Sequence, residues 1–123
     1  MDKLIFLVDD TDSVLTLSAS LLEDNYNVLT MPSAGKMFSL LEKKLPDMIV
    51  MDIEMPEMNG YEAFSKLKEI SEWSNIPVLF MTGYVDESIQ LKTAELGALG
   101  VIDKSDISTG LLDRVNRSLD PDF

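Results

Sequence analysis

The chain has 123 residues, a formal net charge of −12, 46% hydrophobic residues, and neither histidine nor cysteine. Its size and balance suit one globular domain with a single core, and exclude disulfides, thiolate metal sites and every histidine-based zinc site, general base or phosphate carrier. The acidity argues against direct nucleic-acid binding, which rests on Lys and Arg neutralising phosphates; no apolar stretch approaches the length of a membrane helix, and a cytoplasmic location is expected.

Apolar runs and helical stripes alternate from end to end. Leu4-Ile5-Phe6-Leu7-Val8 reads as a first strand running into Asp9-Asp10. Val14, Leu17 and Leu21 then recur at helical spacing, with Thr11, Asp12 or Ser13 as N-cap. Val28–Met31 is a short second strand stopped by Pro32, and Phe38, Leu41 and Leu45 mark a second helix ending before Pro46. The third strand, Met48–Asp52, is apolar without alternation, as expected of a strand buried on both faces. Phe64, Leu67 and Ile70 stripe the third helix, and Pro77 precedes a fourth strand, Val78-Leu79-Phe80-Met81, that stops at Thr82. A more polar fourth helix covers 86–96, and a short fifth strand around Gly100-Val101-Ile102-Asp103 stops at Lys104. Ile107, Leu111, Val115 and Leu119 stripe the last helix, and nothing beyond Asp120 is long enough for a second domain. Five such βα units with short connections predict an α/β fold: a parallel sheet with helices on both faces.

In a parallel sheet all strand ends share one edge, and ligand sites of open α/β sheets form outside the carboxyl ends of the strands. Asp9, Asp10, Asp52, Thr82 and Lys104 are then neighbours. Each has an ordinary structural explanation: an Asx turn or N-cap for the aspartate pair, a strand-terminating turn for Asp52, a satisfied hydroxyl for Thr82, a solvated ammonium for Lys104. Together they suit phosphoryl chemistry. Carboxylates about 4 Å apart repel by about 4 kcal/mol at an effective dielectric of 20, so a divalent cation such as Mg²⁺ fits among them. A carboxylate can carry an acyl phosphate, a hydroxyl can hydrogen-bond one phosphoryl oxygen and an ammonium can pair with another. The methionines Met51, Met55, Met58 and Met81 read as core filler.

With these residues in view, the chain resembles a response-regulator receiver domain of two-component signalling, of the single-domain type related to the chemotaxis response regulator. The resemblance rests on Val8-Asp9-Asp10, Asp52 followed by Met55-Pro56 and Asn59-Gly60, Thr82-Gly83, and Gly97-Ala98 leading to Lys104, at matching separations over nearly the whole chain. It implies a flavodoxin-like, doubly wound sheet of five parallel strands in the order 2-1-3-4-5, filling 1–123 with no output domain. It implies Asp52 as phosphoacceptor, and Mg²⁺ (or Mn²⁺) held directly by Asp10, Asp52 and the backbone carbonyl of Glu54, with Asp9 acting through water. Thr82 and Lys104 contact the phosphoryl group, and Glu54 and Tyr84 flank it. The implied donor is a histidine kinase or histidine phosphotransfer protein. The implied output is a protein target met by the face of the fourth helix, fifth strand and fifth helix. Such a chain is a signalling phosphoprotein that assists only its own phosphorylation and dephosphorylation.

Three positions depart from the family pattern. Val101 stands where an aromatic residue usually couples to the threonine, so the usual output device is altered. Ser105 follows the lysine where a cis-proline is common; a cis bond before serine costs about 2.5–4 kcal/mol, which predicts a trans bond and a rearranged loop. Gly83 replaces a common alanine and is expected to loosen its loop. Two other functions compete. Asp10-Thr11-Asp12-Ser13-Val14 resembles the start of haloacid-dehalogenase-like phosphatases, with Asp10 as nucleophile. A receiver fold serving as a binding module without phosphorylation is the other.

Overall fold

Strands β1 (Leu4–Val8), β3 (Met48–Asp52) and β4 (Val78–Thr82) are buried along almost their whole length, because each has helices on both sides. The computed structural model describes residues 3–119, so the chain beyond Leu119 lies outside the described residues. β2 (Asn27–Met31) and β5 (Gly100–Asp103) complete one parallel sheet in the order β2-β1-β3-β4-β5, the order expected. These two edge strands are the more exposed ones.

Side chains of one strand alternate between two cores. Phe6, Val8, Ile49, Met51, Val78 and Phe80 face α2 (Ala34–Leu41) and α3 (Gly60–Glu69), with Ile89 and Leu96 of α4 (Glu87–Leu96) packed on the margin. Ile5, Leu7, Met48, Val50, Leu79 and Met81 face α1 (Asp12–Leu22) and α5 (Ile107–Leu119). Phe80 is closed in by Tyr61 edge-on at 5.3 Å and Phe64 at 5.6 Å, contacts worth about 0.5–1.5 kcal/mol each beyond area burial. Met51, Met55 and Met81 are core, as expected, and Met58 is half-buried.

Three helical stripes differ from expectation. In α1 the buried residues are Leu15, Ser18 and Leu22, one position on from the expected Val14, Leu17 and Leu21; Leu17 is 39% exposed. Two apolar rows run along this helix, and Ser18 interrupts the one that faces the core, so periodicity alone favours the wrong row. α2 ends at Leu41 instead of running on to Leu45, which is 54% exposed. Leu45 precedes Pro46, and the ring of a proline pushes its predecessor out of the helical region. In α3 Phe64 and Leu67 are buried, but Ile70 is the extended C-cap and faces water. Asp86, expected as the start of α4, is its N-cap, accepting from the Ile89 N–H at 2.9 Å.

Candidate functional site

Strand register assembles the site. Val8 is level with Met31 and Met51, Asp52 with Met81, and Thr82 with Asp103, so the ends of β1, β3, β4 and β5 arrive together at the carboxyl edge. Asp9, Asp10, Asp52, Thr82 and Lys104 all lie there, next to or at strand ends.

The turn after β1 holds Asp9. Its Oδ1 accepts from the Thr11 N–H at 2.8 Å, an Asx turn that opens α1. Thr11 occupies the N-cap position, but its side chain makes no capping bond. Asp9 Oδ2 lies 2.9 Å from Lys104 Nζ, so the fully buried carboxylate is paired on one oxygen and hydrogen-bonded on the other. Asp10 points outward and is exposed, yet its carboxylate comes within 4.8 Å of ligand atoms of Asp9 and Asp52.

Asp52 is 2% exposed. Oδ1 accepts from the Glu54 N–H at 3.2 Å, and Oδ2 lies 3.2 Å from Lys104 Nζ. Burial, then the charge of Asp9, push its pKa up to about 6; Lys104 and the Glu54 N–H pull the other way. Lys104 thus bridges the two buried aspartates. Burial pulls its pKa down, but hydrogen bonds to Asp9 and the charges of Asp52 and Asp9 outweigh that and leave it above the ordinary lysine value.

The loop beyond Asp52 folds tightly. Glu57 has φ 67°, the one non-glycine residue with positive φ among those described, and the Met58 N–H donates to the Pro56 carbonyl at 2.7 Å around it. Asn59 then caps α3 reciprocally with Glu62, at 2.9 and 3.0 Å. After Lys104 the chain makes a 3₁₀ turn, Lys104–Asp106, with the Asp103 carboxylate accepting from both the Ser105 N–H (2.9 Å) and its hydroxyl (2.8 Å). No cis peptide occurs among the described residues, so the bond before Ser105 is trans. Gly83 is exposed and an added Cβ would meet nothing within 4 Å, so no steric demand for glycine exists there.

Three features escape sequence reasoning. The Thr82 hydroxyl, 1% exposed as a residue, donates to Glu54 Oε1 at 3.2 Å, while the Tyr84 N–H approaches Thr82 Oγ1 at 3.4 Å. Gly60 is pressed against the backbone of Asp52; Asn59-Gly60 signals a turn in the sequence, but not what lies beneath it. Arg114 of α5 reaches across Gly100 and donates to the Val101 carbonyl at 3.3 Å, with Nη2 only 2.5 Å from where a Cβ on Gly100 would sit. Tyr84 is 66% exposed and flanks the site through its backbone.

The charges do not balance. Three carboxylates converge and one ammonium answers them, leaving a formal excess of two negative charges in a largely buried place. Oxygen donors in that number and charge fit a hard divalent cation such as Mg²⁺ or Mn²⁺.

Known proteins resemble this chain in sequence and fold. The chain is 36% identical over 84 residues to an uncharacterized 14.6 kDa protein of Leptolyngbya boryana, covering 68% of this chain and 64% of that one. It is 32% identical over 118 residues to the transcriptional regulatory protein YdfI of Bacillus subtilis, covering 94% and 54%. The chain thus spans only about half to two thirds of the length of these relatives. In structure it is similar to the chemotaxis protein CheY4 of Vibrio cholerae, with TM-score 0.84, 26% identity and coverage of 95% and 98%. Residues 5–116 match the response regulator receiver domain, and the chain belongs to that family, the phosphoacceptor signalling modules of two-component systems.

Proposed function

We propose that Asp52 accepts the phosphoryl group and that the change at this site alters what the protein offers to a partner. The observation that carries the reading is the buried Asp52 carboxylate at the strand edge, with Lys104 bridging it to Asp9 and Asp10 alongside. Asp10, Asp52 and the Glu54 carbonyl would hold Mg²⁺, with the Asp9 carboxylate beside them. When bound there, the cation would supply positive charge for the phosphoryl oxygens.

The chain's own groups do the rest. A carboxylate oxygen of Asp52 attacks the phosphorus of a phosphohistidine on a histidine kinase or phosphotransfer protein; the O–P bond forms, the P–N bond breaks, and the imidazole leaves with the electron pair and takes up a proton. Lys104, already 3.2 Å from Asp52, pairs with a phosphoryl oxygen, and the Thr82 hydroxyl donates to another. The protein works in the cytoplasm, and the face of α4, β5 and α5 meets the downstream protein. With Val101 on β5 and Arg114 spanning Gly100, that face lacks an aromatic rotor at this position.

Incubation with a small phosphodonor and Mg²⁺, followed by intact mass, tests the reading. One phosphoryl group is expected on the parent, none on Asp52→Asn, and none when EDTA removes the metal. Unmodified parent protein under conditions that load other receiver domains would overturn it, and partner binding unchanged in Asp52→Asn would favour a phosphorylation-independent binding module.

A further inference from the structure

We propose that the Glu54 carboxylate is a latch on Thr82: it holds the hydroxyl away from Asp52 in the resting protein and sets how much phosphoryl-site occupancy is needed to release it. This rests on the reading of Asp52 as phosphoacceptor.

A threonine hydroxyl has one proton to donate. Here that proton goes to Glu54 Oε1 at 3.2 Å. A phosphoryl oxygen on Asp52 can receive it only after the bond to Glu54 is broken. Glu54 is meanwhile tied to the acceptor itself, since its own N–H donates to Asp52 Oδ1 at 3.2 Å. One residue therefore grips both halves of the site, the carboxylate on β3 and the hydroxyl on β4.

Occupancy of Asp52 undoes the grip by ordinary electrostatics. Phosphoryl oxygens bring new negative charge beside the Glu54 carboxylate, which is on the exposed side of the site and can turn to water. The hydroxyl exchanges one charge-assisted hydrogen bond for another. The Tyr84 N–H, 3.4 Å from Thr82 Oγ1, follows the hydroxyl, so the release is felt in the exposed segment after β4. Glu54 acts through Thr82 and is a positioning residue.

The experiment compares the parent with Glu54→Gln, Glu54→Ala, Thr82→Ala and the double variant Glu54→Ala/Thr82→Ala. The first readout needs neither metal nor phosphodonor: three-bond couplings to the Thr82 methyl report its rotamer. A single rotamer is expected in the parent and averaging in Glu54→Ala. The second readout is the beryllofluoride concentration that half-saturates the site at fixed Mg²⁺, followed by amide resonances. Glu54→Ala is expected to lower it about three- to tenfold, the weight of one partly solvated charge-assisted hydrogen bond. Glu54→Gln, which keeps an acceptor oxygen without the charge, falls between, and in the Thr82→Ala background the effect of Glu54→Ala vanishes. Identical Thr82 couplings in parent and Glu54→Ala would overturn the latch. So would an undiminished Glu54→Ala effect in the Thr82→Ala background, which means charge acting directly on the site. A parent that takes up no beryllofluoride sinks the phosphoacceptor reading instead, and the couplings still decide the latch.

Discussion

Gly60 rests directly on Asp52: a Cβ built on the glycine would lie 2.4 Å from the Asp52 carbonyl oxygen and 2.9 Å from Ile53 Cα. The contact is with backbone, so no side chain can swing aside to make room. The Gly60 N–H also donates to the Ile53 carbonyl at 2.7 Å, which fixes the start of α3 against the end of β3. Gly60→Ala must therefore push β3 and α3 apart. We expect a loss of about 2–4 kcal/mol in urea unfolding and no phosphorylation from a small phosphodonor. Asn59→Ala, which removes only the adjacent cap, should cost about 1 kcal/mol and leave phosphorylation in place.

Asp52 makes metal-free stability depend on pH. Burial and Asp9 raise its folded pKa from 3.8 to about 6, so the folded protein favours the neutral carboxyl. Its contribution is fully present below pH 3.8 and is lost as pH rises through about 6. Asparagine stays neutral throughout and leaves Lys104 paired with Asp9. In EDTA, Asp52→Asn should therefore match the parent near pH 4 and exceed it at pH 7 by about 1–2 kcal/mol, allowing for solvent screening at the open edge. Saturating Mg²⁺ should shrink the difference by stabilising the parent's carboxylate. Urea midpoints across that pH range, with and without metal, check both statements.

Strand ends were legible from sequence because parallel strands buried on both faces are written as unbroken apolar runs that stop at a polar residue, as Leu4–Val8 stops at Asp9. Register then follows from topology, which brings Asp52, Thr82 and Lys104 together without any local signal between them. Helix phase was less legible. Val14, Leu17 and Leu21 are as apolar as the row that is buried, and only the turn at Asp9 and Thr11 orients α1. Contacts between side chains far apart in the chain, Glu54 with Thr82 or Arg114 across Gly100, leave no trace in spacing or composition. They arise from which way a loop turns after its strand, and propensities do not specify that.

Tyr26 ties the turn after α1 to α5. Its hydroxyl donates to Asn116 Oδ1 at 2.5 Å, with both residues buried, and Tyr26 directly precedes the start of β2, at the end of the sheet opposite the carboxyl edge. Tyr26→Phe strands the Asn116 oxygen in the core, at about 1–3 kcal/mol. The expected result is a lower urea midpoint with the same rate of phosphorylation from a small phosphodonor; a slowed rate would show that the tie is coupled to the site.

Lys104 and the proposed divalent cation would answer the same carboxylates, so each should matter more when the other is missing. Lys104 Nζ lies 2.9 Å from Asp9 and 3.2 Å from Asp52, and is the one cation among the described residues in salt-bridge contact with either. Lys104→Met leaves two buried carboxylates facing each other with no positive charge between them. Breaking a buried pair costs about 3–5 kcal/mol; Lys104 is 23% exposed, so about 2–3 kcal/mol is expected in EDTA. Mg²⁺ then supplies the missing charge. Its addition should raise the melting temperature of Lys104→Met by more than it raises that of the parent, and Asp10→Asn should diminish the gain in both. Equal gains in parent and Lys104→Met would mean that the cation sits too far from Asp9 and Asp52 to replace the ammonium.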